Sequence, residues 1–144
     1  MIEAAAAGDL DAIDEIERLS FSAPWPRATF EAELRRDWAR IDVARVAGHV
    51  VGFCNYWLVT TELHVLAIAT HPDRRRGGVG GQLLTHALDR GRAAGCNLAT
   101  LEVRRGNTIA IALYERAGFK TVHVRKRYYQ DDGEDALVMI AELA

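Results

Sequence analysis

The chain has 144 residues, 49% of them apolar and 26% charged, which suits one globular domain with a real core spanning residues 1–144. A formal charge of −2 offers no basic field for nucleic acid, and no apolar run approaches the roughly 20 residues of a membrane span. The opening Met1-Ile2-Glu3-Ala4 lacks the cationic segment and apolar block of a signal peptide, so a cytoplasmic location is expected. Cys54 and Cys96 lie far apart and fit no CxxC pattern; they are expected to be reduced and packed in the core. No His/Cys cluster has metal-ligand spacing, and no metal is expected.

In chain order, Asp9 reads as the N-cap of a helix over residues 10–19, with Ile13, Ile16 and Leu19 on one face. The segment Ser22-Ala23-Pro24-Trp25-Pro26 breaks it, and residues 29–36 predict a short second helix. Residues 41–46 and 49–59 are β-rich and meet at Ala47-Gly48, a hairpin signal. Residues 63–70 predict a third strand. A helix follows over 79–94, stopped by Gly95. Then come a strand over 98–103, a helix over 107–117 ended by Gly118, a strand over 119–125, a loop at Asp131-Asp132-Gly133 and a strand over 136–141. An antiparallel first half and an alternating middle imply an α/β (α+β) fold. The sheet is mixed, mostly antiparallel, with about six to seven strands and about four flanking helices.

The most informative stretch is Arg74-Arg75-Arg76-Gly77-Gly78-Val79-Gly80-Gly81, a basic glycine-rich turn between a strand and a helix. Such a turn leaves N–H groups unpaired at a helix N-terminus, where an anion can bind. Glycines let the backbone approach closely and the arginines add positive charge, so a phosphate-bearing ligand is expected there.

That turn fits R/Q-x-x-G-x-G/A over residues 75–80 and resembles the acyl-CoA site of the GNAT N-acetyltransferase superfamily. Upstream, Ile68-Ala69-Thr70-His71-Pro72 is similar to the family's I-A-V-x-P strand end. Downstream, residues 107–119 are similar to N-x-x-A-x-x-L-Y-x-x-x-G-F. A narrower resemblance joins Pro24-Trp25 with Thr29-Phe30, Leu101-Glu102-Val103-Arg104, Arg127-Tyr128-Tyr129 and Gly133-Glu134-Asp135-Ala136 to the bacterial ribosomal-protein-alanine N-acetyltransferases. The resemblance implies transfer of acetyl from acetyl-CoA to the N-terminal α-amine of a protein, with a ribosomal small-subunit protein as type substrate.

The resemblance also implies roles. Arg75, Arg76, Gly77, Gly78, Val79 and Gly80 would hold the pyrophosphate, mostly through main chain, while Ile68, Ala69 and Thr70 would pair with the pantetheine arm. Glu102 would be the general base; a carboxylate in an apolar strand needs a task or a partner, and burial would raise its pKa. The alternative is a strand-end glutamate paired with Arg104 or Arg105. Tyr114, four residues after Ala110, would protonate the leaving thiolate, or else anchor the core. Asn107 would cap its helix and reach the cofactor. Trp25, Tyr128 and Tyr129 would line the peptide entrance, with Trp25 alternatively a hydrophobic plug, and Glu62 would help to bind the incoming amine or relay its proton.

His64, His71 and His123 show no evident partner. The acidic stretch Asp131, Asp132, Glu134 and Asp135 reads as a solvated turn or as an attractor of basic peptides. A GNAT acting on a small amine or a lysine side chain shares every cofactor motif, and a CoA-binding regulator without catalysis shares most of them. A monomer is expected, with no nucleic-acid or membrane partner.

Overall fold

Apolar residues alternate along the middle of the chain, and that period of two sets the sheet. In the computed structural model, which describes residues 1–143, seven strands form one sheet in the order β1-β2-β3-β4-β5-β7-β6. They are β1 (Ile2–Ala4), β2 (Ala39–Val46), β3 (His49–Val59), β4 (Glu62–Thr70), β5 (Leu98–Arg104), β6 (Lys120–Arg125) and β7 (Ala136–Glu142). Four helices accompany them: α1 (Leu10–Ser20), α2 (Arg27–Arg35), α3 (Val79–Ala93) and α4 (Thr108–Arg116). Every pairing is antiparallel except β4 with β5. The mixed, mostly antiparallel α/β sheet expected from the sequence is the fold observed. Among the described residues no helix is long and apolar enough to cross a membrane.

The sheet is covered on both faces. Phe53 of β3 joins Leu10, Ile13 and Ile16 of α1 and Phe30 of α2 in one buried cluster. Cys54 and Tyr56, pointing the other way, join Leu83, Leu84 and Ala87 of α3 and Tyr114 and Phe119 in another. Both cysteines are buried and unpaired, as expected. Glu33, itself buried, fastens α2 to β3: its carboxylate accepts from Asn55 Nδ2 (3.1 Å) and Trp57 Nε1 (2.6 Å).

Residues 2–4 add β1 on the edge of β2, a strand too short for its period to be visible. Asp9 stands at the N-cap of α1 as expected, but its side chain does not cap the helix: its carboxylate accepts from the Ala6 N–H and from Arg45, 2.9 Å each, so it ties a short 3₁₀ turn (Ala7–Asp9) to β2.

The parallel pair positions everything that follows. β4 and β5 pair only from Glu62↔Leu98 to Val65↔Leu101. On its other side β4 pairs Val65 with Tyr56 and Ala67 with Asn55, which leaves Leu66 as an extra, bulged residue with a partner in neither neighbour. Beyond the bulge the β4 edge that faces β5 is open.

The start of α3 is seated beside that edge by close packing. A Cβ on Gly52 would stand 3.0 Å from the Ala69 carbonyl oxygen, 3.0 Å from Val79 and 3.2 Å from Leu83. Gly52→Ala should therefore cost about 1–3 kcal/mol by overpacking, read as a lower melting temperature in calorimetry. An unchanged or raised melting temperature would show that α3 can shift without strain.

Candidate active site

A cavity of about 700 Å³ occupies the opening between β4 and β5. Leu66, Ala67 and Ile68 line it from β4, Glu102 and Arg104 from β5, and Asn107, Ala110 and Tyr114 from α4. Phe21, Ser22, Ala23 and Trp25, between α1 and α2, form one rim, and Tyr128, Tyr129 and Asp131, between β6 and β7, form another. Ser22 Oγ and Asp131 Oδ2 meet at 3.4 Å across the two rims.

The basic turn lies outside the cavity, at the N-terminus of α3. Arg76 (φ 71°) and Gly78 (φ 82°) are both left-handed, and Gly78 is the N-cap. Gln82 N–H returns to the Gly78 carbonyl at 3.0 Å, but no backbone N–H from 75 to 81 donates to another group among the described residues. The turn therefore presents a run of unused donors with the positive end of a helix dipole behind them. The Arg75 side chain folds back, donating to the Thr70 carbonyl and to Ser20 Oγ, 3.1 Å each. It braces the turn instead of standing over it.

Glu102 departs from expectation. It is not buried, and it pairs with neither Arg104 nor Arg105 but with Arg125 of β6, at 3.0 Å. The same guanidinium lies 5.8 Å from the Tyr128 ring centroid. Burial, and then the neighbouring Glu102 carboxylate, push the Tyr128 phenol up. Tyr114 is 6% exposed and packs edge-on against Phe119 at 5.8 Å. Burial pushes its phenol well above the ordinary tyrosine range, so it stays protonated and keeps a hydrogen to donate. Asn107 Oδ1 accepts from the Ala110 N–H at 3.2 Å, capping α4, which leaves the Nδ2 donors of a cavity-lining residue available.

Glu62 does not line the cavity; its carboxylate lies 3.0 Å from Nε2 of His64, which does. His64 thus has a partner the sequence did not reveal. So has His71, whose ring accepts from the Asp73 N–H. Ile68 lines the cavity, whereas the Ala69 side chain is buried in the α1–α2 cluster. Trp25 packs on Phe30 at 5.7 Å and also lines the cavity.

Glu17 went unremarked in the sequence. It is 3% exposed; one carboxylate oxygen accepts from the Trp25 N–H at 3.0 Å, and the other has no partner among the described residues. Burial raises its pKa above the ordinary glutamate value. Its position four after Ile13, on the apolar face of α1, was the available signal. The acidic stretch is an exposed turn at Asp131 and Asp132, as one reading expects, but its carboxylates are paired. Arg104 spans Asp131, Asp132 and Glu134 at 2.9–3.3 Å and lies 3.9 Å from the Tyr129 ring centroid, while Arg105 holds Asp135 at 3.1 Å.

Comparison with known proteins agrees with this geometry. The Acetyltransferase (GNAT) family profile matches residues 10–119. Over 133 residues the chain is 35% identical to the ribosomal protein bS18-alanine N-acetyltransferase of Escherichia coli (strain K12), spanning 91% of this chain and 89% of that one. The crystal structure of the ribosomal-protein-S18-alanine N-acetyltransferase from Escherichia coli superposes with a TM-score of 0.93 at 32% identity, covering 100% of this chain and 94% of that chain. Ard1 from Thermoplasma volcanium superposes with a TM-score of 0.93 at 28% identity, covering 100% and 97%.

The half-satisfied Glu17 carboxylate gives a pH-dependent prediction. Folding raises its pKa, so its ionisation opposes folding once pH exceeds the unfolded value of about 4.3. Glu17→Gln keeps an oxygen for the Trp25 N–H and removes the charge. The variant should melt higher than the native chain at pH 7, and the gap should close below about pH 4. A variant that melts at or below the native temperature at pH 7 would contradict this.

Proposed function

Because the chain belongs to the acetyltransferase (GNAT) family and is an acetyl-CoA-dependent N-acetyltransferase, we propose that its acceptor is the N-terminal α-amine of a protein, in the manner of a ribosomal-protein-alanine N-acetyltransferase. The feature that supports this most is one cavity holding a carboxylate, Glu102, and a protonated phenol, Tyr114, beside an open strand edge. Likeness to relatives named for acetylation of ribosomal protein bS18 supports the choice of acceptor.

In this reading the donors of residues 75–81, Gly77, Gly78, Val79 and Gly80 chief among them, hold the diphosphate. Arg76 adds charge and Arg75 braces the turn. The β4 edge at Ile68, Ala69 and Thr70 aligns the pantetheine arm by main-chain pairing, and Asn107 Nδ2 steadies it. Glu102 takes a proton from the acceptor ammonium, directly or through water. His64, held by Glu62, is a second station for that proton. The amine nitrogen bonds to the acetyl carbon as the carbon–sulfur bond breaks, and Tyr114 gives its proton to the departing thiolate. The bulged Leu66 leaves main chain unpaired where the thioester oxygen gains charge. Trp25, Tyr128 and Tyr129 enclose the extended acceptor. We further propose a monomer acting in the cytoplasm without nucleic-acid or membrane partners, consistent with a formal charge of −2.

Thiol release should be followed on hexapeptides beginning Ala, Ser, Gly or Met, beside polyamines and lysine peptides; turnover confined to the amines or lysine peptides would overturn the acceptor assignment. Glu102→Gln should lower kcat on the best peptide by about 10²–10³-fold while leaving calorimetric acetyl-CoA affinity intact. Native rates across pH 6–9 would remove Glu102 from the mechanism. Gly78→Asp puts a strained side chain and a negative charge into the turn, and acetyl-CoA affinity should fall by about a hundredfold or more. Unaltered affinity would place the diphosphate elsewhere.

A further inference from the structure

Three short motifs take no part in the proton transfers: the arginine of Leu101-Glu102-Val103-Arg104, the tandem tyrosines of Arg127-Tyr128-Tyr129, and the acidic run before Ala136. The fold brings them together. Arg104 ends β5 and lines the cavity beside Tyr129 and Asp131. Its Nη2 reaches Asp131 at 2.9 Å, its Nη1 reaches Asp132 at 3.1 Å and Glu134 at 3.3 Å, and its carbon centre lies 3.9 Å from the Tyr129 ring centroid. The loop closes on itself as well, with Gly133 N–H on the Tyr129 carbonyl at 2.8 Å and Tyr129 N–H on the Glu134 carbonyl at 3.2 Å. The hydrogen bond from Arg104 lowers the Asp131 carboxyl pKa.

We propose that Arg104 is a positioning residue that sets acceptor specificity: it fixes the Tyr128–Tyr129 wall and offsets part of the charge of three carboxylates at the cavity mouth. The proposal rests on the protein N-terminal acceptor reading above. A guanidinium suits both tasks, since its planar fork serves several oxygens while its face stacks on a ring; an ammonium does one or the other. With the guanidinium in place the cluster keeps two net negative charges, and the tyrosine wall is held against it. Without the guanidinium, the wall loosens and the mouth gains a third net negative charge.

The test compares Arg104→Gln, Arg104→Lys and Arg105→Gln in the full chain. Three N-terminal hexapeptides are used, alike except for Lys, Gln or Glu at the third residue. Arg104→Gln should raise KM for the Gln peptide about tenfold with kcat and acetyl-CoA affinity nearly unchanged. The penalty should be smaller for the Lys peptide and larger for the Glu peptide, and should shrink toward a common value in about 1 M salt. Arg104→Lys should recover the charge order and only part of the KM. Arg105→Gln, which frees only the outlying Asp135, should behave as the native chain. A loss in kcat alone, or equal penalties on all three peptides, would overturn the proposal. If Arg104→Gln does not fold, Asp131→Asn with Asp132→Asn carries the test, with the Lys peptide unfavoured relative to the native chain. Absence of turnover by the native chain on every N-terminal peptide would instead refute the acceptor reading, which keeps the two failures apart.

Discussion

Four residue pairs of parallel ladder, and their abrupt end, organise this molecule. β4 and β5 part after Val65↔Leu101, yet neither strand is released, because each is held by its outer neighbour beyond that point. β4 stays paired with β3 as far as Gly52↔Thr70, and β5 with β7 as far as Arg104↔Ala136. The gap therefore cannot close by collapse, and its walls are fixed before any ligand arrives. Preorganisation of this kind puts reacting groups in place without a cost at the moment of reaction. The bulge at Leu66 sits where the strands diverge, and α3 begins beside the open edge because Gly52 lets it approach.

Local chemistry was legible wherever it depended on sequence neighbours. The Ala47-Gly48 turn, both residues left-handed, the glycine after α3 and the Asn107 cap all follow from short-range rules. The basic turn was legible too, since glycine and arginine at that spacing have few other uses. Long-range partners were not legible. Glu102 and Arg104 share a face of β5, so pairing between them was a fair reading. The three carboxylates of the β6–β7 loop outcompete Glu102 for Arg104, and Arg125 takes its place. Asp9 looked like a cap because nothing nearby reveals that Arg45 lies across the sheet edge. Glutamate on a helix is normally solvated, yet the spacing of Glu17 from Ile13 places it inward.

Two arginines at the rim divide the electrostatic work. Arg125 bridges Glu102 and the Tyr128 ring; Arg104 bridges the acidic loop and the Tyr129 ring. Each pairs one aromatic with carboxylate charge, so the rim is rigid without being apolar. Glu134 extends this frame to the far helix, since its second oxygen accepts the Gly106 N–H at 2.7 Å, just ahead of the helix that carries Tyr114.

The short parallel seam also divides the chain in two. β2 to β4 form a meander with β1 on its edge, while β5, β6 and β7 form a second block joined to it by those four pairs, the α3 crossover and a shared buried core. Adjacent antiparallel strands close small loops and assemble early, whereas a parallel seam waits for its intervening helix. Among the inner strand pairs this seam has the shortest ladder. A molecule lying along that seam touches both blocks, so it acts as a staple across the joint, and its departure returns the protein to its least cohesive form.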